Sequence, residues 1–547
     1  MAFSILSTTA TLVVAFYIYK LISFVRFYIQ ARQTGFPIYV SPVFSKSIPW
    51  MILGQPLQPV SKKYLPRWIF VRLEICTHGW EFRNKRAWHD QLGDVFVLVT
   101  PDECSIYIAD PVIGHNVLQR RIDFPQAPIV AKIMGFFGPN VLTVGYPIWK
   151  RHRRLFNLDE RISRIAWTEG ARQAQTMLEY LVDNPGNQVL EGLKSLGINV
   201  IGQAGFSQQE EWKPPLRERL GEATSGKAAY FETLALVSEM IVQAALLPTG
   251  IMQLPIMPRA LQRLGYHMER TPGYVQEMLD EERKAIGKSS GRQNNFLSLL
   301  LQLSDEDRRS GESQFSLTND EINGSLFIFS GAGYESTTNT MGYAVTLLAA
   351  YPEWQDWIRE ELQSLPEDPL TWKYEEVYPK CRRTLAIMLE TLRFYPPVLH
   401  TTRAISEPQK VTDATGKVHL LTPPMDVYVC QLSVHLNRSI WGDDANDFRP
   451  SRWIDVSGQL MTPENGTYIP WSGGPRICPG LKMSQVEFVA TIGTLFRNAR
   501  CDPLPTDGID SPEVLRERLR GLLSDSVSKL ALQMRNADGV YLRWTPV

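Results

Sequence analysis

Pro470-Trp471-Ser472-Gly473-Gly474-Pro475-Arg476-Ile477-Cys478-Pro479-Gly480 is the stretch on which the fold turns. Glycines and prolines on both sides of Cys478 force a tight, defined loop. The run that follows, LKMSQVEFVATIGTLF, has its apolar residues at helical spacing. Pro479 suits the first position of that helix, where no backbone N–H is required. Cys478 is therefore expected at a helix N-terminus, where the dipole and free N–H groups favour a thiolate. Arg476 adds positive charge two residues away. Taken alone, a cysteine is more often structural; its neighbours reverse that reading.

A thiolate held in a rigid loop can ligate haem iron and push electron density toward oxygen–oxygen cleavage. The loop resembles the haem-binding signature F-x-x-G-x-R-x-C-x-G of the cytochrome P-450 superfamily of haem-thiolate monooxygenases. Gly474, Arg476, Cys478 and Gly480 stand at its fixed positions, and Trp471 stands where the pattern has Phe. The resemblance implies that Cys478 is the axial ligand of a haem b iron.

Working back from the loop, Glu390-Thr391-Leu392-Arg393 puts a carboxylate and a guanidinium on one helix face. Its context, ETLRFYPPV, resembles the family's E-x-x-R helix, and Phe448-Arg449-Pro450-Ser451-Arg452-Trp453 resembles its P-x-R-F/W segment. The resemblance implies a buried triad of Glu390, Arg393 and Arg452. Trp149 and Arg153 form a W-x-x-x-R pair one helical turn apart; read alone, they lie on a solvated basic helix. The family uses this pattern to hold a haem propionate, and the resemblance gives Arg403 and Arg476 the same task.

Thr318-Asn319-Asp320-Glu321 is a capping box opening a helix that runs to about Ala350, uncharged from Leu326 to Tyr334 and so expected to be buried. Gly331-Ala332-Gly333-Tyr334-Glu335-Ser336 superficially matches a dinucleotide fingerprint, but it lies inside a helix and lacks the third glycine. Ala332 to Thr337 instead resembles the family's A-G-x-D/E-T-T/S oxygen-activation motif, with Ser336 at the alcohol position and Thr337 next. The resemblance makes Glu335, Ser336 and Thr337 the catalytic residues, relaying protons during oxygen activation. The two glycines predict a local widening of the helix.

Residues 2–19 are uncharged, Lys20 interrupts, and Arg26 and Arg32 follow. About 20 apolar residues span a bilayer, and basic residues after the stretch keep the remainder cytoplasmic. Residues 1–26 therefore read as a membrane anchor. Six prolines between 37 and 66 forbid a long helix, so residues 27–66 read as a stiff, irregular lead. DVFVLVT (94–100) and CSIYIAD (104–110) predict a β-hairpin, and Val427–Cys430 a strand. The apolar segment 234–258 is broken by Glu239, Pro248 and Pro255, which argues against a second span. With no linker after residue 66, residues 67–547 read as one large haem-thiolate domain, mainly α with small β-sheets.

The chain has 547 residues, 44% of them apolar, and 57 basic side chains balance 57 acidic ones. That balance excludes nucleic-acid binding through bulk phosphate attraction. Six scattered cysteines form neither a zinc pattern nor a secreted disulfide framework.

The resemblance covers nearly the whole chain. It implies a monooxygenase of the filamentous-fungal, membrane-anchored type, inserting one oxygen atom of O2 into a small lipophilic substrate of secondary metabolism, such as a terpenoid or polyketide. It further implies an NADPH-dependent reductase partner, contact with membrane lipid, and an endoplasmic reticulum location with a cytosolic catalytic domain. Desaturation, rearrangement or coupling on the same haem stays open, as does a non-catalytic haem sensor.

Overall fold

The computed structural model describes residues 2–156, 160–214, 226–288, 295–309, 317–505, 508 and 511–547. Packing divides the chain into two compact units, although the sequence after residue 66 reads as one domain. The first comprises Met1–Pro128, Leu399–Asn446 and Pro463–Ile477, and the second Ile129–Val398, Asp447–Thr462 and Cys478–Val547.

The first unit is built on a five-stranded sheet. Its strands are β1 (Ile38–Val40), β2 (Val95–Val99), β3 (Cys104–Ile108), β4 (His400–Ile405) and β7 (Met425–Cys430), in the order β1-β2-β3-β7-β4. The predicted hairpin is the antiparallel pair β2–β3, turned at Pro101-Asp102. Both its strands are buried at every position, as continuous apolar runs require. A second hairpin pairs β5 (Gln409–Thr412) with β6 (Val418–Leu421).

Helix α1 (Ala2–Thr34) carries an apolar stretch, Thr11–Thr34, long enough to cross a membrane. It does not end near residue 26. Ala31 and Thr34 are buried, Phe24 and Phe27 pack on the sheet's core, and Gln30 Nε2 donates to the Pro424 carbonyl at 3.1 Å. Lys20 forms an ion pair with Asp102.

The expected irregular lead contains a 17-residue helix, α2 (Ile48–Tyr64), which includes Pro56 and Pro59. Pro49 sits in its first turn, where a missing N–H costs nothing. Trp50 closes over Gly54 and anchors the helix by donating from Nε1 to the Cys76 carbonyl at 2.9 Å. Tertiary anchoring of this kind overrides the proline penalty, which the sequence reading treated as decisive. The lead also supplies β1, parallel to β2. Helix α3 (Pro111–Gln119) follows β3, capped by Asp110, whose carboxylate accepts from the Val112 and Ile113 amides.

The second unit is mainly helical. It contains α4 (Ile148–Leu155), α5 (Glu160–Asp183), α6 (Val189–Phe206), α7 (Gly226–Glu239), α8 (Asn319–Phe327), α9 (Gly333–Ala350), α10 (Arg382–Phe394) and α11 (Leu481–Arg497). Small antiparallel pairs join β8 (Ala499–Pro503) to β11 (Leu542–Pro546) and β9 (Ser526–Ser528) to β10 (Leu532–Met534). Close approach of α6 to α9 needs Gly197: a Cβ there would lie 2.2 Å from the Thr338 methyl. The apolar segment 234–258 is broken next to Glu239, at Met240, and at Pro248, two of the three breaks read from the sequence.

Candidate active site

Within the second unit the capping box forms as the sequence predicts. Thr318 Oγ1 accepts from the Glu321 amide at 3.2 Å, and Glu321 Oε2 accepts from the Thr318 amide at 2.9 Å. Glu321 does more than cap. It also pairs with Arg151 and accepts from His152 Nε2 at 3.1 Å, tying α4 to the start of α8. Burial alone would raise its carboxyl; the Thr318 amide, His152 and Arg151 outweigh that and hold it below the usual range. Nothing in the basic run around Trp149 announced this joint.

Between α8 and α9, residues Ile328–Ala332 form a π-helical turn, the widening that the glycines predicted. Along residues 326–350 the helix is buried except at Ala332, Gly333 and Ser336, which share one face. Ser336 Oγ donates to the Ala332 carbonyl at 2.8 Å, while Thr337, buried, donates to the Gly333 carbonyl at 3.2 Å.

Glu335 is 4% exposed and points elsewhere, toward Ser238, Glu239, Lys194 and Lys529. Burial pushes its carboxyl up to about 7; the Ser238 hydroxyl and Lys194 oppose the shift and Glu239 adds to it. Glu335 Oε2 is buried and has no hydrogen-bond partner among the described residues. A carboxyl in this state exchanges protons near neutrality, as a relay group must.

The cysteine loop departs from expectation by two residues. Helix α11 begins at Leu481 with Gly480 as its cap, so Pro479 lies in the turn ahead and not at the first helical position. Cys478 still receives backbone help: the Gly480 and Leu481 N–H groups and the Arg153 charge lower its thiol. Burial outweighs them and leaves it raised. The residue as a whole nevertheless keeps accessible surface, so protein crowds Cys478 without covering it. Trp149 is buried on α4, and Arg153, one turn on, is the charge acting on Cys478.

The first unit brings Arg403 and Arg476 together. Arg403, on β4 and 3% exposed, donates from Nη1 to Gln126 at 2.6 Å and to the Thr402 carbonyl at 2.9 Å. Its pKa is lowered to about 10 by burial and then by the Arg476 charge. Arg476 is lowered to about 10 by burial and then by Arg121, a residue the sequence reading missed. Gly474 holds the segment at φ +64°; a Cβ there would lie 2.3 Å from the Leu118 carbonyl.

The triad forms within the second unit. Glu390 accepts from Arg393 Nε and Nη2 (both 2.9 Å), Arg452 Nε (3.0 Å), the Arg449 amide (2.9 Å) and Trp453 Nε1 (2.9 Å). Glu390 and Arg393 have no exposed surface. Trp453 was legible only as the F/W position of its motif; the structure gives the reason for Trp, since Phe has no N–H to donate.

A family model described as cytochrome P450 matches residues 64–523. A phomenoic acid biosynthesis cluster cytochrome P450 monooxygenase of Leptosphaeria maculans is 30% identical over 94% of each chain. Cytochrome P450 monooxygenases of Penicillium rubens and Penicillium roqueforti are each 27% identical over 97% of both chains. The chain belongs to the cytochrome P450 family and is an enzyme of its monooxygenase type.

Membership implies haem whose iron a cysteine thiolate holds. The residues fit that group. Cys478 is an exposed cysteine whose thiol two N–H groups and Arg153 lower. Arg403 is a buried cation destabilised by the Arg476 charge, and half-buried Arg476 by the Arg121 charge, strain that an anionic propionate would relieve.

Proposed function

We propose that this enzyme inserts one oxygen atom of O2 into a small lipophilic molecule of fungal secondary metabolism, a terpenoid or polyketide in type. The relatives named for a phomenoic acid cluster and for Penicillium support the fungal biosynthetic setting. The observation that carries oxygen insertion is the π-turn, where the accessible face of an otherwise buried helix holds Ala332, Gly333 and Ser336 beside a near-neutral Glu335.

When bound, the haem supplies oxygen activation at an iron held by Cys478. By the family resemblance, Trp149, Arg153, Arg403 and Arg476 are the residues that would hold its propionates. The Gly480 and Leu481 N–H groups stabilise the Cys478 sulfur as a thiolate. Glu335 takes up protons from the Lys194, Glu239 and Lys529 side and passes them inward at its carboxyl. Ser336 Oγ is the hydroxyl on the accessible face, so it and not Thr337 orders the last donor; its bond to the Ala332 carbonyl fixes the hydroxyl and opens the backbone. Electrons come from NADPH through a separate reductase, and α1 anchors the enzyme to the endoplasmic reticulum with its catalytic body in the cytosol.

Metabolite mass spectrometry of the source organism with and without the gene tests this. A precursor lighter than the lost product by oxygen supports insertion and identifies the substrate. A precursor of equal mass, or one differing only in hydrogen, moves the reaction to rearrangement, desaturation or coupling. A sensor would consume no NADPH with reductase and substrate present.

A further inference from the structure

Helix α2 carries an apolar stripe on its exposed side. Leu53, Leu57, Val60 and Tyr64, at spacings of four, three and four, form one face and are 49%, 46%, 53% and 70% exposed. Leu65 and Trp68 extend the face, Trp68 being 66% exposed. Every charged residue from Gly35 to Leu73 is basic: Lys46, Lys62, Lys63, Arg67 and Arg72. An outward apolar stripe that ends in Tyr, Trp and lysines is the pattern of a helix lying in a bilayer interface.

The fold ties the lead into this stripe to α1. Phe44, four residues ahead of α2, packs on Phe16 and Tyr17 of α1 with ring centroids 6.0 and 6.4 Å apart, and Lys20 lies 5.7 Å from the Phe44 ring. Phe16 and Tyr17 lie inside the apolar stretch Thr11–Thr34, so where that stretch crosses a bilayer, Phe44 and the lead into α2 lie at membrane level.

We infer that α2 is a second membrane element, lying in the bilayer interface with Leu53, Leu57, Val60 and Tyr64 in the acyl region and Lys62 and Lys63 at anionic headgroups. This rests on the membrane anchoring proposed for α1. Its consequence is a fixed attitude: one inserted helix leaves the first unit free to swivel, whereas a transverse second helix stops that rotation.

The full-length holoenzyme is reconstituted in phosphatidylcholine–phosphatidylserine vesicles with a nitrobenzoxadiazole label at Leu57→Cys. Val60→Cys serves as a second site on α2, Val14→Cys as the α1 reference and Asp443→Cys as an exposed control, and wild type carried through labelling sets the background. Quenching by lipids brominated along the acyl chain is then read. At 57 and 60 it is expected to exceed that at 443 several-fold and to approach that at 14. Quenching at 14 with 57 and 60 like 443 leaves α1 in the membrane and overturns the role of α2. No quenching at 14 overturns the anchoring and this inference together. A blue-shifted, unquenched label at 57 whose emission depends on protein concentration assigns the stripe to a second copy and also overturns it.

Discussion

Two buried carboxylates in the second unit are solvated by opposite means. Glu390 on α10 has five hydrogen bonds from four residues and no exposed surface. Glu335 on α9 is nearly as buried, yet one oxygen has no partner and burial pushes its carboxyl up to about 7. A charge bonded on every side is held fixed; a carboxyl short of partners is destabilised as the anion, and in the proposed relay that is the group whose proton moves. Cost follows the same division, since breaking a complete network strands its partners, whereas neutralising a strained carboxyl relieves it.

The largest effect is therefore expected at the triad. Glu390→Ala removes the carboxylate that Arg393 and Arg452 share inside the protein, a loss of about 3–5 kcal/mol that denaturant unfolding of the holoenzyme reads. Trp453→Phe removes one donor and costs about 1–3 kcal/mol by the same measurement. A triad variant as stable as wild type would break the contrast from the structural side.

Glu335→Gln is expected to keep stability while product formed per NADPH falls, with the oxygen-dependent step slowed about 100-fold or more. Ser336→Ala should share that uncoupling and Thr337→Val should not, because only Ser336 lies on the accessible face. Equal effects at both positions would remove the distinction drawn between the two hydroxyls.

The smallest effect sharpens the comparison with a third carboxyl. Glu487 on α11 is 1% exposed, its Oε1 has no partner among the described residues, and burial pushes it up to about 8. Between the ordinary carboxylate range and about pH 8 the folded chain holds a proton that the unfolded chain has released, so stability falls as pH rises through that window. Glu487→Gln should flatten that slope and gain on wild type above pH 8. An unchanged slope in the pH series of unfolding would place the compensating charge elsewhere.

Sequence carried the chemistry further than the architecture. The cysteine loop, the E-x-x-R pair and the π-turn were legible because each needs particular residues at short spacing. The α2 helix was not, because local proline rules miss the Trp50 anchor supplied by distant Cys76. The shared role of Glu321, the arrival of Arg121 beside Arg476, and the docking of Gln30 on the Pro424 carbonyl are likewise long-range events that no periodicity encodes. Glu487 left a trace, a lone acid inside the apolar run VEFVATIGTLF, that pattern reading passed over.

The central claim is that Cys478 holds haem iron as a thiolate. Its most direct test is the absorption spectrum of the reduced carbon monoxide complex, taken for the full chain and for Cys478→Ala. The account predicts a red-shifted thiolate-type band in the wild type that is abolished in the variant. Retention of that band without Cys478, or its absence from a wild-type protein carrying haem, would contradict the account.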